Sequence, residues 1–203
     1  MIIVHKYGGS SVATTEKILD IARHLGKVKD DKNDVVVVVS AMGKRTDALI
    51  GLAMEITNDP DKRELDRLMS TGEQTTIALL AMALKSLGYD AISLTGVQAG
   101  IKTSGHHTKN VIDSIDTQRI NSFLQEGKIV IVAGFQGVNE KGDVTTLGRG
   151  GSDTSAVALA AALEGKCEIY TDVDGIYSID PRVYCDAKKL SLISYDEMME
   201  LAF

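Results

Sequence analysis

Strand-like runs of apolar residues recur along the chain. The longest are at residues 2–7, 35–39 and 129–135, and shorter ones are at 91–94 and 168–171. These runs are continuous, whereas half-buried strands alternate apolar and polar residues. Continuous runs are typical of strands buried on both faces of a parallel sheet.

Helices are predicted between these strands. Residues 16–28, 72–87, 117–125 and 152–163 carry apolar side chains every three or four positions, the spacing of a helix with one buried face. Strands that alternate with helices in this way predict an α/β fold with a mainly parallel central sheet.

Two further elements are predicted from turn signals. Residues 135–147 contain Asn139 and Gly142 between short strand-like pieces, which predicts a β-hairpin. A charged stretch that contains Pro60 and Asp61 predicts the solvated start of a further helix.

Composition narrows the class of protein. A net charge of −6 and few aromatic residues (Phe 3, Tyr 6, Trp 0) argue against nucleic acid as the main partner. No apolar stretch reaches the roughly 18 residues of a membrane span, and the N-terminus lacks the pattern of a secretory signal. Cys167 and Cys185 match neither a zinc motif nor a disulfide framework. We therefore expect a cytoplasmic protein.

A glycine loop follows the first strand and precedes a helix. Gly8 and Gly9 let the backbone approach an anion, successive amides can hold phosphate oxygens, and Lys6 adds a positive charge. The spacing is not that of a Walker A loop. The alternative is a tight strand-to-helix turn whose lysine is solvated.

A second glycine loop, residues 148–151, also opens a helix. Arg149 can bind a carboxylate or phosphate with two parallel hydrogen bonds. The alternative is a flexible exit from the hairpin, with Ser152 or Asp153 as the helix N-cap. Two such loops, each with a cation, suit a nucleoside triphosphate and an acidic co-substrate.

Three other segments carry candidate chemistry. Glu73 is predicted in the first turn of an apolar helix, either as a capping carboxylate or as a partner for an ammonium group. Ser40 follows the five-valine strand, where it either contacts a substrate oxygen or forms part of a turn. Residues 171–182, which include Tyr177 and Arg182, favour a nucleotide site over an acidic surface turn. Their aspartate spacing is too short for an EF-hand.

Two adjacent histidines, His106 and His107, match no metal motif and are interpreted as loop residues. Signatures of serine hydrolases and protein kinases do not occur in the sequence.

Five segments together resemble the aspartate kinases, within the amino acid kinase superfamily. They are KYGGSSV (6–12), STGE (70–73), AGFQG (133–137), TTLGRGGSD (145–153) and DVDGIYSIDPR (172–182). They occur in the order and at the spacing of that family and cover essentially the whole chain.

The resemblance implies a three-layer α/β sandwich of the amino acid kinase type. It implies an ATP-dependent phosphotransferase that acts on the side-chain carboxylate of L-aspartate with Mg²⁺, the first step toward lysine, threonine and methionine. It also implies a homo-oligomer. Two alternatives remain: a sister kinase for another acid or phosphate acceptor, and a non-catalytic nucleotide- or amino-acid-binding chain.

The resemblance also assigns roles to residues. Lys6 and Asp153 would be catalytic, with Asp153 orienting Lys6 or magnesium. The residues implied to contact aspartate are Ser40, Glu73, Phe135, Gln136, Arg149 and Ser152. The residues implied to bind ATP are Lys6, Gly8, Gly9, Ser10, Thr171, Asp172, Tyr177 and Arg182.

The chain departs from the family in two ways. Ser10 stands where many members have threonine. Family members also continue past the last residue, with a further nucleotide-binding lysine and ACT-type regulatory modules. Because the sequence stops inside a helix predicted to begin at Ser194 or Tyr195, we expect residues 1–203 to be a catalytic domain truncated at its C-terminus.

Overall fold

The structure, a computed structural model, describes residues 1–148, 150–172, 175–179, 183–194 and 196–198. The chain divides into two units, residues 1–170 and residues 171–203. None of the helices within the described ranges is both long and apolar enough to cross a membrane.

The described residues of the first unit form nine strands and five helices. The strands are β1 (Ile2–Tyr7), β2 (Asp34–Val39), β3 (Ala91–Leu94), β4 (Ile101–His106), β5 (Lys109–Ile115), β6 (Ile129–Ala133), β7 (Gln136–Val138), β8 (Val144–Thr146) and β9 (Lys166–Tyr170). The helices are α1 (Thr15–Asp30), α2 (Arg45–Ile56), α3 (Lys62–Ser86), α4 (Gln118–Gln125) and α5 (Gly151–Ala162).

The central sheet is fully parallel, in the order β3-β6-β2-β1-β9. The valines of β2 explain why its sequence does not alternate. Val35, Val37 and Val39 pack on one side with α1 and α3, whereas Val36 and Val38 pack on the other side with α4 and α5. The sheet therefore lies between two helical layers, and the expected α/β sandwich is confirmed.

A second sheet has the order β5-β4-β7-β8. β4 and β5 form one antiparallel hairpin, β7 and β8 form another, and β4 pairs with β7 in parallel. The hairpin predicted at residues 135–147 is confirmed. The β4–β5 hairpin was not predicted. His106 ends β4 and His107 lies in the turn, whose Thr108 has φ 71°.

The main correction concerns α3. Residues 72–87 were predicted to start a helix, with Glu73 in its first turn. In the structure α3 begins at Lys62, capped by the Asp61 side chain, and runs through Gly72, so that Glu73 lies in the middle of a 25-residue helix. A favourable interaction between Glu73 and the helix dipole is therefore excluded, because that effect is confined to the terminal turn.

In the second unit, strands β10 (Ile176–Tyr177) and β11 (Lys189–Leu190) pair in antiparallel fashion. Ser194 and Glu197 exchange hydrogen bonds in the reciprocal pattern that starts a helix, with Ser194 N–H donating to Glu197 Oε2 at 2.8 Å. Residues 196–198 are helical, which agrees with a helix opening at Ser194.

Candidate active site

The candidate site lies where three adjacent parallel strands end. β1, β2 and β6 pair in register, so that Gly8, Ser40 and Gly134, which follow them, lie at the same edge of the sheet. Ligands of open α/β sheets bind at this carboxyl edge. Two of the five segments that carry the family resemblance, 6–12 and 133–137, begin in the last residues of β1 and β6.

Lys6 is buried near the end of β1, and its Nζ lies 2.7 Å from Oδ1 of Asp153. This contact is an ion pair without the alignment of a hydrogen bond. The Asp153 side chain is 46% exposed, although its Oδ1 is buried against the lysine. The Lys6 ammonium lies close to the first glycine loop, since a Cβ on Gly8 would be 3.3 Å from its Nζ.

The first glycine loop forms a tight turn against the loop after β2. Gly8 O accepts from the amides of Ser11 and Val12, and Gly9 O accepts from Gly43 N–H at 3.0 Å. A Cβ on Gly9 would lie 3.0 Å from Ala41 O, so the close approach requires glycine. Among the described residues, the amides of Gly8, Gly9 and Ser10 have no backbone partner. These amides therefore suit phosphate oxygens.

The second loop leads into α5, whose N-cap is Gly150 at φ 72° with no side-chain capping bond. Ser152 and Asp153 lie in the first turn instead of capping the helix, so the alternative capping interpretation is wrong. Their side chains reach across the site: Ser152 Oγ lies 2.8 Å from Ser40 Oγ, and Asp153 pairs with Lys6. The N-terminus of α5, with its unsatisfied amides, also favours an anion.

Glu73 is 3% exposed. Its Oε1 accepts a hydrogen bond from Ala41 N–H at 3.1 Å, whereas its Oε2 has no partner among the described residues. Burial raises the pKa of Glu73 from 4.5 to about 7, and the bond from Ala41 opposes this only in part. A buried carboxylate with one free oxygen is suited to an incoming cation, which would lower its pKa again.

Some of these groups line a cleft of about 240 Å³, whereas Lys6, Gly8 and Asp153 lie outside its lining. Its lining includes Ser40, Glu73, Phe135 and Ser152 together with glycines of both loops. Phe135 has φ 67°, an unfavourable conformation for an aromatic residue, and is held by a bond from its N–H to Ser155 Oγ at 3.1 Å. The strained backbone fixes the Phe135 side chain at the cleft.

Two glycines let the walls of the cleft come close together. A Cβ on Gly134 would lie 2.8 Å from the Cβ of Ser152, and a Cβ on Gly151 would lie 2.8 Å from the Cβ of Leu147. Larger residues at these positions would push the first turn of α5 away from the sheet.

The structure does not bring every predicted residue to the cleft. Gln136 is fully buried beneath it, with Nε2 donating to Ser70 O at 3.0 Å. Ser10 is exposed on the glycine loop, outside the cleft lining. Thr171, Asp172 and Tyr177 belong to the second unit.

Arg149 and Arg182 fall outside the described residues. Their predicted roles therefore stay predictions.

A lining residue with a polar side chain was missed. Thr46, in the first turn of α2, lies on the cleft wall. Helix α2 itself was not predicted. The only sequence signal for Thr46 as a site residue was its hydroxyl group, six positions after Ser40.

The described residues contain no group of three or more His, Cys, Asp or Glu side chains that could hold a metal ion. Asp153 lies in the first turn of α5, directly after the second glycine loop. Magnesium at this site would therefore take most of its ligands from nucleotide phosphates and water, as it commonly does.

The geometry defines a cleft at the carboxyl edge of a parallel α/β sheet, and the sequence pattern of the amino acid kinase family matches residues 1–203. The chain belongs to this family. It is 60% identical to the aspartokinase of Geobacillus stearothermophilus over 99% of this chain and 50% of that protein. The chain spans about half the length of the curated relatives it matches.

Solved structures of aspartate kinases have the same fold as this chain. Aspartate kinase from Synechocystis superposes with a TM-score of 0.86 at 50% identity, over 100% of this chain and 34% of that one. E. coli aspartokinase III, in complex with aspartate and ADP, superposes with a TM-score of 0.87 at 28% identity, over 100% of this chain and 56% of that one.

Proposed function

We propose that this chain is the catalytic domain of an aspartate kinase of the cytoplasm, which transfers the γ-phosphate of ATP to the side-chain carboxylate of L-aspartate. The products are ADP and 4-phospho-L-aspartate, the precursor from which lysine, threonine and methionine are made. The similarity to aspartokinases supports the substrate, and we expect a homo-oligomer.

The observation that carries the proposal is the free Oε2 of Glu73, in a cleft that also contains the Ser40–Ser152 pair. In this proposal Glu73 binds the α-ammonium of aspartate. Ser40 and Ser152 contact its oxygens, and Phe135 bounds the site. Arg149 binds the α-carboxylate with two parallel hydrogen bonds. Gln136 acts from beneath, through its bond to Ser70 O.

The nucleotide would occupy the loop side of the site. The amides of Gly8, Gly9 and Ser10 hold phosphate oxygens, and Lys6 meets the transferred group. Thr171, Asp172, Tyr177 and Arg182 are proposed to bind the rest of ATP. Magnesium, when bound, would neutralise phosphate charge, and Asp153 is the described residue best placed to hold it or to orient Lys6.

The reaction requires little acid–base catalysis from the protein. The attacking carboxylate, with a pKa of about 4, is already ionised at neutral pH. One carboxylate oxygen forms a bond to the γ-phosphorus while the bond from that phosphorus to the β,γ-bridging oxygen breaks, and ADP leaves. Lys6 and the loop amides neutralise the charge that develops, and the cleft aligns the two reactants.

The test is an assay with MgATP and L-aspartate in the presence of hydroxylamine, which traps an acyl phosphate as the hydroxamate. Aspartyl hydroxamate formation, with none from glutamate, is the expected result. Turnover of a different acceptor would support a sister kinase instead. Equilibrium binding of aspartate and ATP without turnover would support a non-catalytic binding protein.

One substitution tests which substrate each of the two glycine loops binds. Arg149→Ala is expected to raise mainly the KM for aspartate. A change confined to the KM for ATP would show that the two loops have been assigned to the wrong substrates.

A further inference from the structure

Asp66 is a carboxylate on α3 that the mechanism does not use, and it is fully buried. Its Oδ2 accepts from His107 Nδ1 at 2.6 Å, and the amide of Thr108 donates to both carboxylate oxygens at 3.0 and 3.1 Å. The hydroxyl of Thr146 donates to Oδ1. A buried carboxylate is tolerated only when its oxygens are satisfied in this way.

These donors come from both hairpins of the second sheet. His107 and Thr108 form the turn of the β4–β5 hairpin, and Thr146 ends β8. One side chain of α3 therefore ties two hairpins to the helix. The tie to β8 matters most, because the chain continues from Thr146 into residues 147–151, the loop that contains Arg149.

Asp66 shares one face of α3 with two residues nearer the site. Ser70 O accepts from Gln136 of β7, and Glu73 accepts from Ala41 of the loop after β2. We name Asp66, Ser70 and Glu73 the α3 polar face. Asp66 and Glu73 are seven positions apart, which is about 10 Å along the helix axis. The helix thus acts as a rigid spacer between Glu73 and the start of the loop.

We propose that Asp66 and Thr146 are positioning residues that fix Leu147 and Gly148, at the start of the loop, relative to Glu73. This proposal rests on the proposed function, in which Glu73 binds the ammonium of aspartate and the loop binds its α-carboxylate. The Asp66–Thr146 bond then holds the end of β8, from which the chain continues to Arg149, in place relative to Glu73. Loss of the bond weakens aspartate binding while the nucleotide loop is unaffected.

The chain offers a closely matched control. Thr145 precedes Thr146 in β8 and is equally buried, but its hydroxyl lies 2.6 Å from Thr103 Oγ1 of β4, within the second sheet. Thr146→Val and Thr145→Val each remove one buried hydroxyl from the same strand and keep the side-chain shape. Only Thr146→Val cuts the link to α3.

The experiment measures steady-state kinetics of the full-length protein and its variants by aspartyl hydroxamate formation. Thr146→Val is expected to raise the KM for aspartate roughly tenfold, with kcat and the KM for ATP within about twofold of the unsubstituted protein. Thr145→Val is expected to leave all three parameters within about twofold. Thr146→Ser, which keeps the hydroxyl, is expected to restore the KM for aspartate.

Amide hydrogen exchange gives a second readout that needs no activity. Thr146→Val is expected to speed exchange in residues 147–151, and Thr145→Val is not. Equal effects of the two valine variants on the KM for aspartate would overturn the proposal. So would faster exchange in Thr146→Val without any change in that KM.

If the unsubstituted protein forms no aspartyl hydroxamate, the proposed function fails. The exchange comparison then still decides whether Asp66 and Thr146 hold the loop: equal exchange in both variants would overturn that part as well.

Discussion

Nζ of Lys6 and Oδ1 of Asp153 lie 2.7 Å apart and join the end of β1 to the first turn of α5. The contact holds the Lys6 ammonium at the point where the glycine loop and the N-terminus of α5 come together. A lysine in such a position stabilises charge that develops during phosphoryl transfer.

Replacing this lysine tests the idea. Lys6→Ala is expected to lower kcat by roughly 10²–10³, the usual effect of losing one donor to a transition state. Lys29→Ala is the control, because Lys29 pairs with Asp34 at the opposite end of β2, 3.6 Å away. An unchanged kcat in Lys6→Ala, measured at saturating MgATP and aspartate, would remove Lys6 from its assigned role.

The buried carboxylate of Glu73 predicts a pH dependence of substrate capture. Its pKa is raised to about 7, so that it is ionised, and able to hold an ammonium group, only above that pH. We expect kcat/KM for aspartate to fall roughly tenfold per pH unit below about 7. The Glu73→Gln variant should have a low kcat/KM without this slope. A slope that persists in Glu73→Gln would mean that another group titrates.

Ionisation of Glu73 favours substrate capture but lowers the stability of the folded protein. Because its pKa in the folded state lies above 4.5, ionisation costs free energy in the folded protein, and stability falls as the pH rises from 4.5 through about 7. Glu73→Gln should therefore raise the free energy of unfolding at pH 8 by up to about 3 kcal/mol. Urea unfolding at pH 5 and pH 8 measures this. An equal change at both pH values would contradict it.

His5 predicts a loss of stability in acid. It is 1% exposed in β1, beside Tyr170, and neither ring nitrogen has a hydrogen-bond partner among the described residues. Burial lowers the pKa of His5 from 6.5 to about 4, against the attraction of Glu168. A lowered histidine pKa means that stability is fully present above pH 6.5 and is lost as the pH falls toward 4.

The total effect of His5 is about 3 kcal/mol. His5→Phe should abolish this part of the pH dependence between pH 7 and pH 4, as measured by urea unfolding. His106→Phe, at an exposed position of β4, should retain it. Identical curves for the two variants would show that the acid sensitivity arises elsewhere.

At position 72 of α3 we expect alanine to be harmful, although alanine is a better helix former than glycine. A Cβ there would lie 2.8 Å from the Cβ of Ala41, whose amide binds Glu73. Gly72→Ala should push this loop outward, lower stability and raise the KM for aspartate. At Gly51 of α2 a Cβ meets nothing within 4 Å, so Gly51→Ala should add up to about 1 kcal/mol. Stabilisation by both substitutions would show that the Ala41 contact yields easily.

Gly72 also illustrates where prediction from sequence stops. The sequence Ser70-Thr71-Gly72 resembles a helix start, so the first half of α3 was separated from the second. The reason for the glycine is a contact with Ala41, which is distant in sequence and visible only after folding. Local propensity could not reveal it.

Other elements were predictable because their signals are local. β2 and β6 were found from continuous apolar runs, since both of their faces are covered by helices. The β4–β5 hairpin was missed because its turn contains Thr108 at positive φ in place of glycine or asparagine, and because its tip is held by Asp66 of α3.

For the candidate site, sequence predicted the residue types but not their partners. Lys6, Asp153, Ser40, Ser152 and Glu73 were singled out, and the structure brings them to one edge of the sheet. The Ser40–Ser152 contact depends on Gly134, whose missing side chain lets α5 approach β2. Thr46 was missed because its helix carries little amphipathic pattern.

The glycine walls of the cleft also decide how its substrate scope can be altered. Positions 134 and 151 are already glycine and cannot be made smaller. A side chain at Gly134 would collide with Ser152, and one at Gly151 would collide with Leu147. Space for a longer acid must therefore come from side chains that can still be shortened, namely Thr46 and Phe135. Shortening Phe135 to glycine would also relieve its strained backbone, so widening the cleft there carries a smaller stability cost than an ordinary aromatic deletion.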